Sequence, residues 1–105
     1  MVSIFHRKIV DALDPKRNYQ NRFVILREHI AEVEELFQAD DKLQDLLRKY
    51  KQAIIAARDL ATKLKNGASK SDEEKYKSYL YEAHTLALDL VIMARDDAKL
   101  AKKLT

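Results

Sequence analysis

The 105-residue chain has no cysteine, no tryptophan, one glycine and one proline. Without cysteine there is no disulfide frame, no thiolate metal site and no thiol nucleophile. One glycine and one proline are too few for the tight turns of an all-β fold. Gly67 alone cannot form a glycine-rich phosphate cradle. No apolar run approaches the roughly 18 residues of a membrane span, and nothing at the N-terminus resembles a secretory signal. A cytoplasmic location with no membrane partner is therefore expected, in the host cytoplasm if the chain is virus-encoded.

What is present is a mix of 47% apolar and 35% charged residues with a formal net charge of +3. That composition predicts a packed, globular chain, and its length predicts one domain over residues 1–105. The charges fall in blocks of alternating sign. Residues 31–47 hold six acids against Lys42, and residues 48–70 hold seven bases against Asp59. Blocks of this kind bring opposite charges together when neighbouring helices fold back on each other.

The apolar spacing predicts an all-α fold: an antiparallel bundle of three long helices plus a short N-terminal helix. The short helix spans Ser3 to Leu13. Asp14-Pro15 reads as the cap and first position of the second helix, which runs to Gln38. Its seam is Tyr19, Phe23, Leu26, Ile30, Val33 and Phe37, spaced as a coiled-coil heptad. Asp40 or Asp41 caps the third helix, whose seam is Leu43, Leu47, Tyr50, Ile54, Ala57, Ala61 and Leu64. Asn66-Gly67 ends it. Ser71 with Glu74 predicts a capping box for the fourth helix. That helix carries Tyr76, Leu80, Ala83, Ala87, Leu90 and Ala94 in register.

The apolar faces are wider than one seam. Leu86 to Ala94 is apolar at every position except Asp89. A helix apolar all round is buried all round. The short helix offers Ile4, Phe5, Ile9 and Leu13, enough to fill one groove. Leu88, Val91 and Ile92 then need cover from a second copy, and a homodimer is expected.

Catalysis needs a positioned acid, base or nucleophile. The three histidines, His6, His29 and His84, stand in no metal-ligand pattern. No Glu-x-x-His pair exists for a di-iron bundle, since Glu28 directly precedes His29 and Glu82 is two before His84. No metal and no cofactor are expected. Arg22 and His29 have a spacing found in helical ribonucleases, but lie early in the bundle rather than late. His84 lacks the Lys and Gly that keep a phosphorylatable imidazole accessible. A His-dependent phosphotransfer or ribonuclease activity is thus the weakest of three readings, and neither spacing amounts to a family resemblance.

Level arithmetic along the helices groups three further sets. His29, Tyr50 and Asp89 fall on one layer, so a buried polar pair of His29 with Asp89 is expected, Asp89 needing a partner if it lies inside. Lys16, Arg17, Tyr19, Arg22, Lys75, Tyr76, Lys77 and Tyr79 gather at one pole. Bases interleaved with aromatics suit phosphate contact and base stacking, which makes nucleic acid the alternative partner. Glu32, Glu34, Glu35, Asp40, Asp41 and Asp45 crowd the other pole as an acidic docking surface for another protein. The leading expectation is a non-enzymatic protein–protein interaction module, an adaptor, regulator or assembly subunit that also self-associates.

Overall fold

The computed structural model describes residues 4–37, 44–67 and 69–94. Among them are four helices and no strand: α1 (Ile4–Leu13), α2 (Tyr19–Phe37), α3 (Gln44–Leu64) and α4 (Lys70–Ala94). No helix is long and apolar enough to cross a membrane.

The main helix pairings form a ring. α2 and α4 both pack on α3, and α1 packs on α2 and α4. Along α2 and α3 the partners run in opposite order. Gln20 receives a hydrogen bond from Lys65 at 3.0 Å, whereas Glu34 meets Lys51 at 2.9 Å. Along α1 and α4 they also run in opposite order, Ala12 meeting Tyr76 and His6 meeting His84. The short helix thus lies in the groove between α2 and α4.

The heptad spacing selects the core. Leu47, Tyr50, Ile54, Ala57, Ala61 and Leu64 of the predicted α3 seam are buried, as are Tyr76, Leu80, Ala83, Ala87 and Leu90 of α4. On α2, Leu26, Ile30 and Val33 are buried, and Tyr19 and Phe23 pack at the margin. Phe5, Ile9 and Ala12 form one stripe of α1, each at most 1% exposed. These three recur at four and three residues, so they share the face that α1 turns inward.

Two helix starts differ from expectation. α2 begins at Tyr19 because Asn18, not Asp14, is its cap: the Asn18 side chain accepts the backbone N–H of Asn21 at 2.8 Å. The Asp14 carboxylate instead accepts the N–H of Lys16 at 2.9 Å, closing a turn around Pro15. α4 begins one residue earlier than Ser71, because Ser69 Oγ accepts the N–H of Asp72 at 3.1 Å. Gly67 does end α3, at a positive φ of 154° that a side chain would strain. The expected caps Asp40 and Asp41, and Leu43 of the seam, lie outside the described residues.

Candidate interaction surface and the polar core

The side chains singled out by the sequence separate into three settings. The first is the outer face of α4. Four of the five large apolar side chains that are exposed among the described residues stand on this helix: Tyr81 at 60%, Leu88 at 51%, Ile92 at 55% and Met93 at 52%. Tyr81, Thr85, Leu88 and Ile92 recur at four, three and four residues. At 100° per residue they fall within about 60° of one another. They form a second stripe, roughly opposite the stripe of Leu80, Ala83, Ala87 and Leu90 that faces the core. Val91 lies between the two and is half-buried. Among the described residues, one stripe of α4 is covered and the other is bare.

This geometry corrects the reading of Asp89. The expected burial of Asp89 against His29 does not occur, because Asp89 is exposed. It follows Leu88 by one residue and precedes Leu90 by one, so it projects beside the bare stripe. The apolar run around it winds past the core-facing side and out again, and a charge in such a run is not thereby interior.

The second setting is the layer beneath α1. His29 is 0% exposed, and its Nε2 lies 2.5 Å from the Tyr50 hydroxyl, which is equally buried. Phe5 from α1 stacks on Tyr50 with ring centres 4.7 Å apart and meets His29 edge-on at 5.1 Å. His29 Nδ1 makes no hydrogen bond but faces Glu32 at 3.6 Å. The tautomer protonated on Nδ1 fits both neighbours: Tyr50 donates to Nε2, and Nδ1–H faces a carboxylate. Burial, helped by the Lys8 ammonium, lowers the His29 pKa to about 4, so the ring is neutral at pH 7. Burial, helped by Glu32, also raises the Tyr50 hydroxyl well above its ordinary value. The sequence placed Tyr50 on the layer of His29 but weighed both as partners for Asp89, not for each other. The expected partner Asp89 lies off the α4 seam of Leu80, Ala83, Ala87 and Leu90, a rotation that matching heights along the bundle ignores.

The third setting is the Tyr/Lys pole. Two of its members are not available at the surface. Arg22 is 8% exposed and Tyr76 is 1% exposed. Arg22 donates to the carbonyls of Arg17 at 3.0 Å and Asp14 at 2.9 Å. Its guanidinium also lies 4.6 Å from the centre of the Tyr19 ring and 5.8 Å from that of Tyr76. Tyr76 donates to the carbonyl of Ala12 at 2.6 Å, and burial raises its pKa. Tyr19 meets Tyr76 edge-on at 5.7 Å. The aromatic–basic interleaving therefore closes the turn between α1 and α2. A guanidinium can be buried there because carbonyl oxygens and two ring faces replace its water. Arg17 is tied to Asn21 at 2.8 Å. Lys16, Lys75 and Lys77 remain exposed, and Tyr79 is half-buried.

At the acidic end, Glu32 faces Lys8 at 3.6 Å, Glu34 meets Lys51, and Asp45 meets Arg48 at 3.4 Å. Glu35 is exposed. Asp40 and Asp41 lie outside the described residues. Glu32, Glu34 and Asp45 thus pair within the chain while staying partly open to solvent.

Sequence reading missed the contact between His84 Nε2 and His6 Nδ1, at 2.7 Å. The residues are 78 apart, and only the return of α4 alongside α1 joins them. Among the described residues no group of three or more His, Cys, Asp or Glu side chains could hold a metal ion. A shallow groove of about 270 Å³ between α3 and α4 is lined by Lys49, Gln52, Ala53, Tyr79, Glu82 and Leu86. No family model, curated protein or solved structure matches the chain.

Proposed function

We propose that the chain is a non-enzymatic, cytoplasmic protein–protein interaction module that self-associates through the outer face of α4. The observation that carries this reading is the bare stripe of Tyr81, Leu88 and Ile92, each more than half exposed. Burying side chains of this size is worth about 1.5–3 kcal/mol each before the cost of association. A stripe at four-three-four spacing is the shape that a facing helix fills. A second copy supplies such a helix, and a two-fold pair uses the same patch twice.

Light scattering across a concentration series tests the reading. The expected mass is about twice 12.2 kDa at high concentration. Ile92→Glu returns the mass to one chain with the helical circular dichroism intact. A wild type that stays at 12.2 kDa throughout overturns self-association.

A nucleic-acid partner is the competing reading, resting on exposed Lys16, Lys75 and Lys77. Arg22 and Tyr76 drop out of it, since both are engaged inside the fold. Binding to single- or double-stranded nucleic acid that falls steeply with salt, and falls further in Lys75→Gln/Lys77→Gln, supports that reading. Binding that ignores these lysines removes it.

A further inference from the structure

The chain holds three asparagines, and the structure gives each a different setting. Asn18 caps α2: its Oδ1 accepts the N–H of Asn21 at 2.8 Å, and its carbonyl accepts that of Arg22 at 3.0 Å. Asn21 lies within α2, where its Oδ1 accepts from Arg17 at 2.8 Å. Both precede bulky residues, Tyr19 and Arg22. Asn66 stands just past the end of α3, exposed, and precedes Gly67. We propose that Asn66 is a site of spontaneous covalent modification, losing its side-chain amide by ring closure onto the backbone nitrogen of Gly67, and that the conversion loosens the turn between α3 and α4.

The reaction uses only the groups of the turn and water. The Gly67 nitrogen bonds to Cγ of Asn66, and the bond from Cγ to Nδ2 breaks. Nδ2 leaves as ammonia, carrying the proton that the Gly67 nitrogen gives up. A five-membered succinimide results. Water then adds to one of its two carbonyl carbons and opens the ring. Opening on one side gives aspartate. Opening on the other gives isoaspartate, in which the main chain runs through the side-chain carbons. Nothing is oxidised or reduced: an amide and a water become a carboxylic acid and ammonia.

The turn lets the two atoms meet. Gly67 has a φ of 154°, and a Cβ built there would meet nothing within 4 Å, so the residue turns in open space. The ties on the pair are long. The Gly67 N–H reaches the Leu64 carbonyl at 3.2 Å, and Asn66 Nδ2 reaches the Thr62 carbonyl at 3.3 Å, at or beyond the far end of ordinary N–H···O bonds. Both residues also lie where a helix ends, and helix ends open at little cost. In α2 the reverse holds. Ring closure at Asn21 needs the nitrogen of Arg22, which is bonded to the Asn18 carbonyl in the first turn of the helix. Ring closure at Asn18 has to free a side chain engaged as a cap.

Conversion changes the turn in two ways. A carboxylate at position 66 faces the negative end of the α3 dipole. Isoaspartate lengthens the main chain leading to Ser69, whose Oγ and carbonyl accept the N–H groups of Asp72 and Glu73 at the start of α4.

Peptide mass mapping of chain aged at neutral pH tests the proposal. The peptide holding Asn66 is expected to gain the mass of an NH2-to-OH exchange and to split into two isomers. It runs at least about tenfold ahead of the peptides holding Asn18 and Asn21, the order that freedom from side-chain clash contributes at a glycine. Gly67→Ala, checked for intact helical circular dichroism, slows the gain severalfold. Asn66→Gln, which has to close a larger ring, shows none, and it alone makes the comparison should Gly67→Ala fail to fold. Aged chain unfolds at a lower denaturant concentration than fresh chain. An unmodified Asn66, equal conversion of all three asparagines, or an undiminished gain in either variant overturns the site. An unfolding midpoint unchanged by complete conversion overturns the loosening of the turn.

Discussion

The seam beneath α1 and the outer face of α4 each reverse the usual match between residue type and burial. Under α1, polar groups are buried and hydrogen-bonded: His29 through Nε2 with Tyr50, Arg22 with two carbonyls, Tyr76 with a third. On the outer face of α4, apolar groups stand exposed: Leu88 at 51% and Ile92 at 55%. The contrast teaches that residue type does not assign burial in this chain. Position on the wheel and the presence of a neighbouring helix do. Polar side chains are tolerated inside where fixed donors and acceptors replace water, and unpartnered ones would cost several kcal/mol each.

Substitutions at the two regions should differ most where the buried layer is emptied. Tyr50→Ala removes a fully buried ring, unstacks Phe5 and strips His29 of its partner. Denaturant unfolding is expected to show a loss of about 4 kcal/mol, the usual scale for truncating a large aromatic. A loss below about 1 kcal/mol would mean that the layer is loosely packed.

The next largest effect is one of pH. The His29 pKa in the fold is lowered from 6.5 to about 4. The neutral ring therefore favours the folded state above pH 6.5, and that contribution is lost as the pH falls through 6.5 toward 4. The full shift corresponds to about 3 kcal/mol. Unfolding midpoints measured between these pH values should show the decline, and His29→Gln should flatten it.

Arg22→Ala comes third. It leaves the carbonyls of Asp14 and Arg17 without their charged donor at the turn that delivers α1 to its groove. A cost of about 2 kcal/mol is expected, and Arg22→Lys should recover only part of it because a lysine offers no planar fork. Recovery of full stability by lysine would show that charge alone matters there.

Leu88→Glu closes the series from the other region. It should change monomer stability by less than about 0.5 kcal/mol, as an exposed substitution does. Its expected effect is on mass, reducing a two-chain particle to one. A large loss of stability without a change of mass would mean that the stripe is covered within the chain.

Much of the fold was legible in the chain order. The four-three spacing of Leu47, Tyr50, Ile54, Ala57, Ala61 and Leu64 and of Tyr76, Leu80, Ala83, Ala87 and Leu90 named buried residues that the structure confirms. Periodicity reads burial well when one face of a helix meets one neighbour. The candidate site was legible only in part. Leu88 and Ile92 were singled out because they fall off the seam, and they are the side chains left bare. Asp89 was misread because level arithmetic fixes height along the bundle and says nothing of rotation about the helix axis. Arg22 was misread because its burial depends on where two backbone carbonyls of a preceding turn point.

The sequence by itself determined that the described chain is helical, which stripe of each helix is apolar enough to bury, and that Gly67 ends α3. Those properties follow from short-range spacing and backbone freedom. Only the tertiary structure decided that α1 lies between α2 and α4, bringing His6 to His84 and Phe5 onto Tyr50. It also decided that, among the described residues, one stripe of α4 has no helix against it. Contacts between residues far apart in the chain depend on the rotation and docking of whole helices, which a count along one strand of letters does not contain.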